Sequence, residues 1–178
     1  MSSLMKKAPN TEILYRELEH TGDLGIEITA RSRSEVFRRA ALALADLLVE
    51  PSNVTARQPR TIEISAADDI GLMHDLLTEL LQLYAADAFI WRDANVEERR
   101  DGLHVVLWGE SFDPTRHLPR GEIKAVTYHQ MIVENTANQW RARIIFDVLS
   151  ASCAPVLPPF AIPESNAVVE ALVLDGSG

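Results

Sequence analysis

The apolar residues of this chain change period along its length, and that change limits the possible folds more than any single motif does. Two stretches carry the helical period. In the first, Val36, Phe37, Ala40, Ala41, Leu44, Leu47 and Leu48 recur at helical spacing with arginines between them, which makes one apolar stripe and one solvated face. Ser32 and Glu35 match a capping box ahead of that run, and Pro51 closes it. In the second, Leu72, Leu76, Leu77, Leu80, Leu81 and Tyr84 share a stripe, with Asp68 and Asp69 as caps that suit the positive end of the helix dipole. Elsewhere the period is two. Residues 24–30 alternate; so do Leu103, Val105 and Leu107; and Trp140, Ala142, Ile144 and Phe146 alternate against Arg141, Arg143 and Asp147. Shorter strands are predicted at 15–19, 61–65, 89–95, 124–128 and 131–135. Two helices among antiparallel strands, with no strand–helix–strand rhythm, predict an α+β two-layer sandwich: two helices packed on a predominantly antiparallel sheet.

No internal repeat interrupts this pattern, and 178 residues suit one domain with a tail. Three parts are expected: an N-terminal segment 1–14, a domain 15–148, and a Pro/Ala-rich extension 149–178. Pro155, Pro158, Pro159 and Pro163 cannot continue a sheet interior, whereas 167–174 is apolar enough to dock back as a short strand or helix. With 26 acids against 17 bases, a net charge of −9 and a pI near 5.0, the chain is poorly suited to direct nucleic-acid binding, which needs a cationic surface to displace counterions. A basic protein partner is the better match. The single cysteine, Cys153, rules out an intramolecular disulfide and a cysteine-cluster metal site. No stretch approaches the ~18 apolar residues of a spanning helix, and no apolar segment follows Lys6 and Lys7 as in a signal peptide. A cytoplasmic protein with no membrane partner is expected.

The common catalytic templates fail. The eight glycines form neither a Walker loop nor a dinucleotide fingerprint, there is no Gly-x-Ser-x-Gly elbow, and His20, His74, His104, His117 and His129 lack the spacing of a zinc protease. Three polar clusters at strand edges remain: His20–Gly25, where Gly22 and Gly25 flank Asp23 at a turn; Gly121–His129, which contains Lys124; and Ile144–Val148, where Asp147 follows three apolar residues. By parity, Asp23 and Asp147 both lie off the core face of their strands. If those strands are neighbours the carboxylates converge, and at ~4 Å and an effective dielectric of ~20 they repel by roughly 4 kcal/mol. Two answers compete for the positive charge needed there: a hard cation held by carboxylate and backbone oxygens, or an ion pair with Lys124.

These clusters, in this order, resemble the archease family. His20-Thr21-Gly22-Asp23-Leu24-Gly25 is similar to its entry motif, Glu122-Ile123-Lys124-Ala125-Val126-Thr127-Tyr128-His129 to its central signature, and Asp147-Val148 to its terminal pair; the resemblance spans 15–148. It implies a protein cofactor of an RtcB-type RNA ligase in tRNA splicing and RNA repair, one that promotes the ligase's metal-dependent guanylylation and repeated turnover without catalysing the chemistry itself. GTP and RNA would be met only through the ligase. The resemblance further implies that Asp23, Asp147 and the Val148 backbone ligate a divalent cation, Ca2+ or alternatively Mn2+ or Mg2+. Lys124, with His129 and His20, would contact the ligase or the nucleotide phosphates. Gly22 stands where the family usually has alanine, a change expected to leave the carboxylate in place. The chain also runs thirty residues past Val148, where the family pattern ends, and a tail beginning there could cover the site.

Two rival readings follow from the same residues. One is a small metal-dependent phosphoester hydrolase, with Asp23 and Asp147 holding the ion and His129 or His20 as general base. The other is a general chaperone or protein-interaction module in which the clusters shape a docking surface.

Overall fold

The computed structural model describes residues 14–18 and 22–149. The strands are β1 (Arg16–Leu18), β2 (Leu24–Ala30), β3 (Gln58–Ser65), β4 (Phe89–Arg99), β5 (Gly102–Ser111), β6 (Ile123–Thr136) and β7 (Gln139–Val148); the helices are α1 (Arg33–Leu48) and α2 (Asp69–Asp87). A 3-10 turn, Pro51–Asn53, follows α1. The expected α+β class is present, with both helices against antiparallel strands. The strands divide into two sheets, ordered β1-β2-β7-β6 and β3-β5-β4. Alternation along a strand tells which residues face a core but not which strand lies beside it, so this division was not visible in the sequence. Of the extension 149–178 only Leu149 lies within the described residues, and of the segment 1–14 only Leu14, so the expected docking of 167–174 falls outside them.

Both helices touch both sheets: α1 lies against β2, β7 and β4, and α2 against β6, β3, β4 and β5. This explains why α1 buries Leu42 and Ala43 as well as its apolar stripe. The Ser32 hydroxyl caps α1 by accepting from the Glu35 N–H at 3.2 Å, while the Glu35 carboxylate accepts from Arg38 and Arg39 at 3.3 and 3.1 Å rather than completing the box. Asp68 caps α2 by accepting from the Gly71 N–H at 2.7 Å. Between α1 and the three-stranded sheet, the buried Trp91 indole N–H donates to the Ala41 carbonyl at 2.9 Å, which gives this large ring its polar partner without leaving the core.

The four-stranded sheet matters most for function, because β2 begins, β7 ends and β6 begins at one end of it. The β2–β7 register closes with Leu24 opposite Phe146. Strand β6 is one element of fourteen residues where two were expected. It accommodates two irregularities, one between Ile123 and Ala125 and one between Thr127 and Ile132. Its approach is fastened to the end of α1. The Glu50 N–H donates to the Leu118 carbonyl and the Arg120 N–H to the Leu48 carbonyl, each at 2.9 Å, and Arg120 also binds the carboxylates of Asp46 and Glu50.

Candidate functional site

Asp23 and Asp147 each lie one residue beyond the last β2–β7 pair, Leu24 opposite Phe146. Continuing that antiparallel register places them opposite each other. Both carry the parity of the face turned away from the core: the core-facing set on these strands is Ile26, Ile28 and Ala30 with Ala142, Ile144 and Phe146, all buried. Both acids are half-buried. On the other side of β7, Asp147 pairs with Ala125 and Val148 with Ile123. Lys124 is therefore the extra residue of the bulge, at the level of Asp147 and Val148. A bulge suits this position because it inserts one side chain out of register and re-aims it. Lys124 is exposed there.

One of the two answers left open above can be checked directly. Lys124 makes no ion pair among the described residues, so it neutralises neither Asp23 nor Asp147. The donors at this end of the sheet are carboxylate and backbone oxygens, the hard type that Ca2+, Mg2+ and Mn2+ take. No third His, Cys, Asp or Glu joins them among the described residues. A cation held here would draw its further ligands from backbone carbonyls, that of Val148 among them, and from water. The residues fit such an ion on donor chemistry and charge.

Of the remaining expected residues, His20 lies outside the described residues. His129 is exposed within the second irregularity of β6, where Gln130 adopts φ 51°. Next to it, Tyr128 leans onto α2 and stacks on His74 with ring centroids 3.8 Å apart and planes 12° apart. Nothing in the sequence pointed to this contact. The signal that could have suggested it is the aromatic and histidine content of 128–129 at the break between two short strand patterns.

The turn before Asp23 has a backbone conformation that favours glycine. Gly22 has φ 83°, a left-handed conformation that costs an L-residue roughly 1–2 kcal/mol. Alanine there is strained, so the glycine helps set the direction in which the backbone delivers Asp23. Gly25 has a steric role: a Cβ on it would meet Ile145 Cδ1 at 3.1 Å and Leu18 Cβ at 3.2 Å. Its bare backbone lets the buried Ile145 side chain lie across β2.

A second polar cluster, which sequence reasoning did not find, sits at the end of β5. Among the described residues Glu110 and His117 are the buried polar ones, 6% and 1% exposed. Glu110 accepts from the Thr55 N–H and from Arg116 Nη2, both at 2.7 Å. The Asp113 N–H donates to His117 Nδ1 at 2.8 Å, so the ring proton resides on Nε2, which faces Glu110 Oε1 and the Asn53 carbonyl at 3.2 Å each. Burial by itself would raise the Glu110 carboxyl, but the bonds from Arg116, Thr55 and His117 outweigh it and hold its pKa at about 2. Every member of this cluster has its partner inside the chain, and its role is to hold the 112–122 connection.

Comparison with known proteins follows the same boundaries as this domain. The model of the Archease protein family matches residues 15–148. The protein archease of Methanosarcina acetivorans is 34% identical over 139 residues, covering 75% of this chain and 95% of that one. The protein archease of Pyrococcus abyssi is 32% identical over 139 residues, covering 75% and 98%. A solution structure of a Methanobacterium thermoautotrophicum protein matches with a TM-score of 0.63 and 31% identity over 75% of this chain and 98% of that chain. A crystal structure of an archease from Thermotoga maritima, described as a possible chaperone, shares the fold with a TM-score of 0.51 at 17% identity, over 75% of this chain and 96% of that chain.

Proposed function

The chain belongs to the archease family, and on that premise we propose that it is a protein cofactor of an RtcB-type RNA ligase, promoting the ligase's metal-dependent guanylylation and multiple turnover in tRNA splicing and RNA repair. The observation that supports this reading is the β2–β7 register, which continued by one residue sets Asp23 opposite Asp147, with Lys124 in the adjoining bulge of β6. When bound, a divalent cation supplies positive charge between the two carboxylates. The chain's own residues then do the rest. Asp23 and Asp147 orient that charge at the sheet end, and Lys124, which makes no ion pair among the described residues, offers its ammonium to the nucleotide phosphates or the ligase surface. The acidic body, at −9, favours encounter with a basic cleft. With no phosphate-binding loop of its own, the chain reaches GTP and RNA only through the ligase.

Ligation with limiting ligase tests the reading. The wild-type chain is expected to raise the number of turnovers per ligase, while Asp23→Ala, Asp147→Ala and Lys124→Ala each lose that stimulation and remain folded. Full stimulation by all three variants would remove the site assignment. Phosphoester turnover by the isolated chain would replace the reading with hydrolysis, and equal binding to many unrelated clients would replace it with general chaperone activity.

A further inference from the structure

On the face of the four-stranded sheet turned away from the helices, one row of residues crosses all four strands: Arg16, Glu27, Arg143 and Ile132. Glu27 lies between two arginines, yet its oxygens are already engaged. Oε1 accepts from Arg16 Nη2 at 2.7 Å, and Oε2 accepts from Arg141 Nε at 3.1 Å and lies 3.0 Å from Arg141 Nη2. Arg141 also donates to Glu134 at 3.2 Å. Three arginines thus meet two glutamates, and the odd cation is Arg143. Its Nε is buried without a hydrogen-bond partner, and its side chain makes no ion pair among the described residues. A guanidinium cannot shed its proton. Held half-buried with no counter-charge bound to it among the described residues, it costs the folded chain stability, and such a group requires a reason.

Position supplies one. Between this row and the Asp23–Asp147 end lie the row Leu18, Gly25, Ile145 and Thr127, which carries no formal charge, and on β6 the irregularity that holds Tyr128 and His129. Arg143 and Asp147 share a face of β7 four residues apart, roughly 13 Å along the strand. We propose that Arg143 receives a carboxylate of the partner protein, so that the docking face runs from the Asp23–Asp147 end along β7 to the Arg16–Glu27–Arg143 row. The partner's identity rests on the ligase reading above; the chemistry of the contact does not. A single carboxylate suits the guanidinium fork, which takes it through two parallel bonds. A polyanion suits it less, because Glu27 and Glu134 flank the arginine and would repel charge extending past the contact.

The experiment is a titration of the full chain against the ligase, without RNA or nucleotide, comparing wild type with Arg143→Gln and Arg143→Lys. The expected result is at least about a tenfold loss of affinity for Arg143→Gln. Arg143→Lys should recover part of it, since it keeps the charge but not the fork. The thermal midpoint of Arg143→Gln should be unchanged or higher, because the substitution removes a charge that nothing among the described residues pairs. Wild-type affinity in Arg143→Gln overturns the inference and leaves the ligase reading standing; failure of the wild-type chain to bind overturns both. A loss that emerges only when RNA is added assigns the arginine to phosphate instead. A changed sedimentation coefficient of the isolated chain on the same substitution assigns the face to a second copy. Either result overturns the carboxylate assignment.

Discussion

Two clusters of charge, one in each sheet, follow opposite rules. In the three-stranded sheet, Glu110 is buried and bound by Arg116, the Thr55 N–H and His117. In the four-stranded sheet, Lys124 is exposed and Arg143 half-buried, and neither makes an ion pair among the described residues. A charge satisfied inside the chain stabilises the fold, because its partners are in place whether or not anything binds. A charge left without an internal partner contributes nothing comparable to folding and is available to a ligand or another protein. The contrast separates residues that hold the molecule together from residues that act, and it predicts which substitutions damage stability and which damage only stimulation.

The largest stability effect falls on the satisfied cluster. Glu110→Ala leaves Arg116, His117 and the Thr55 N–H without their shared acceptor, and should lower unfolding free energy by about 2–3 kcal/mol in denaturant titration. The same contrast appears in acid. The Glu110 carboxyl titrates at about 2 in the folded chain, below the ordinary 4.5. The unfolded chain therefore takes up this proton first as pH falls. Its contribution, on the order of 3 kcal/mol, is fully present above pH ~4.5 and lost between there and pH ~2; in Glu110→Gln that part of the acid transition should disappear. Next in size is Gly22→Ala, whose left-handed backbone should cost about 1 kcal/mol and shift Asp23, so stimulation falls more than stability does. Smallest are Lys124→Ala and Asp147→Ala, expected within about 0.5 kcal/mol of wild type in stability while stimulation is lost. A destabilisation by either as large as that of Glu110→Ala would break the comparison.

Local structure was legible in the sequence because local rules set it. The stripes of α1 and α2, the caps Ser32 and Asp68, and the alternation in β2 and β7 each depend on residues a few positions apart. Parity further indicated that Asp23 and Asp147 avoid the core, though it took the β2–β7 register to place them opposite each other. What stayed hidden depends on long-range pairing or on backbone conformation. The split into two sheets, the bulge that carries Lys124, the left-handed Gly22 and the stack of Tyr128 on His74 leave no periodic trace. Glu110 and His117 were equally invisible, since a buried glutamate and a surface one look alike until a partner folds over them.

The most direct measurement is the rate of ligase guanylylation at limiting GTP, with wild-type chain, Asp147→Ala or Lys124→Ala added at equal folded concentration. Acceleration by the wild type and none by either variant is the predicted result. Acceleration by both variants equal to that of the wild type would contradict the assignment of this sheet end as the acting site.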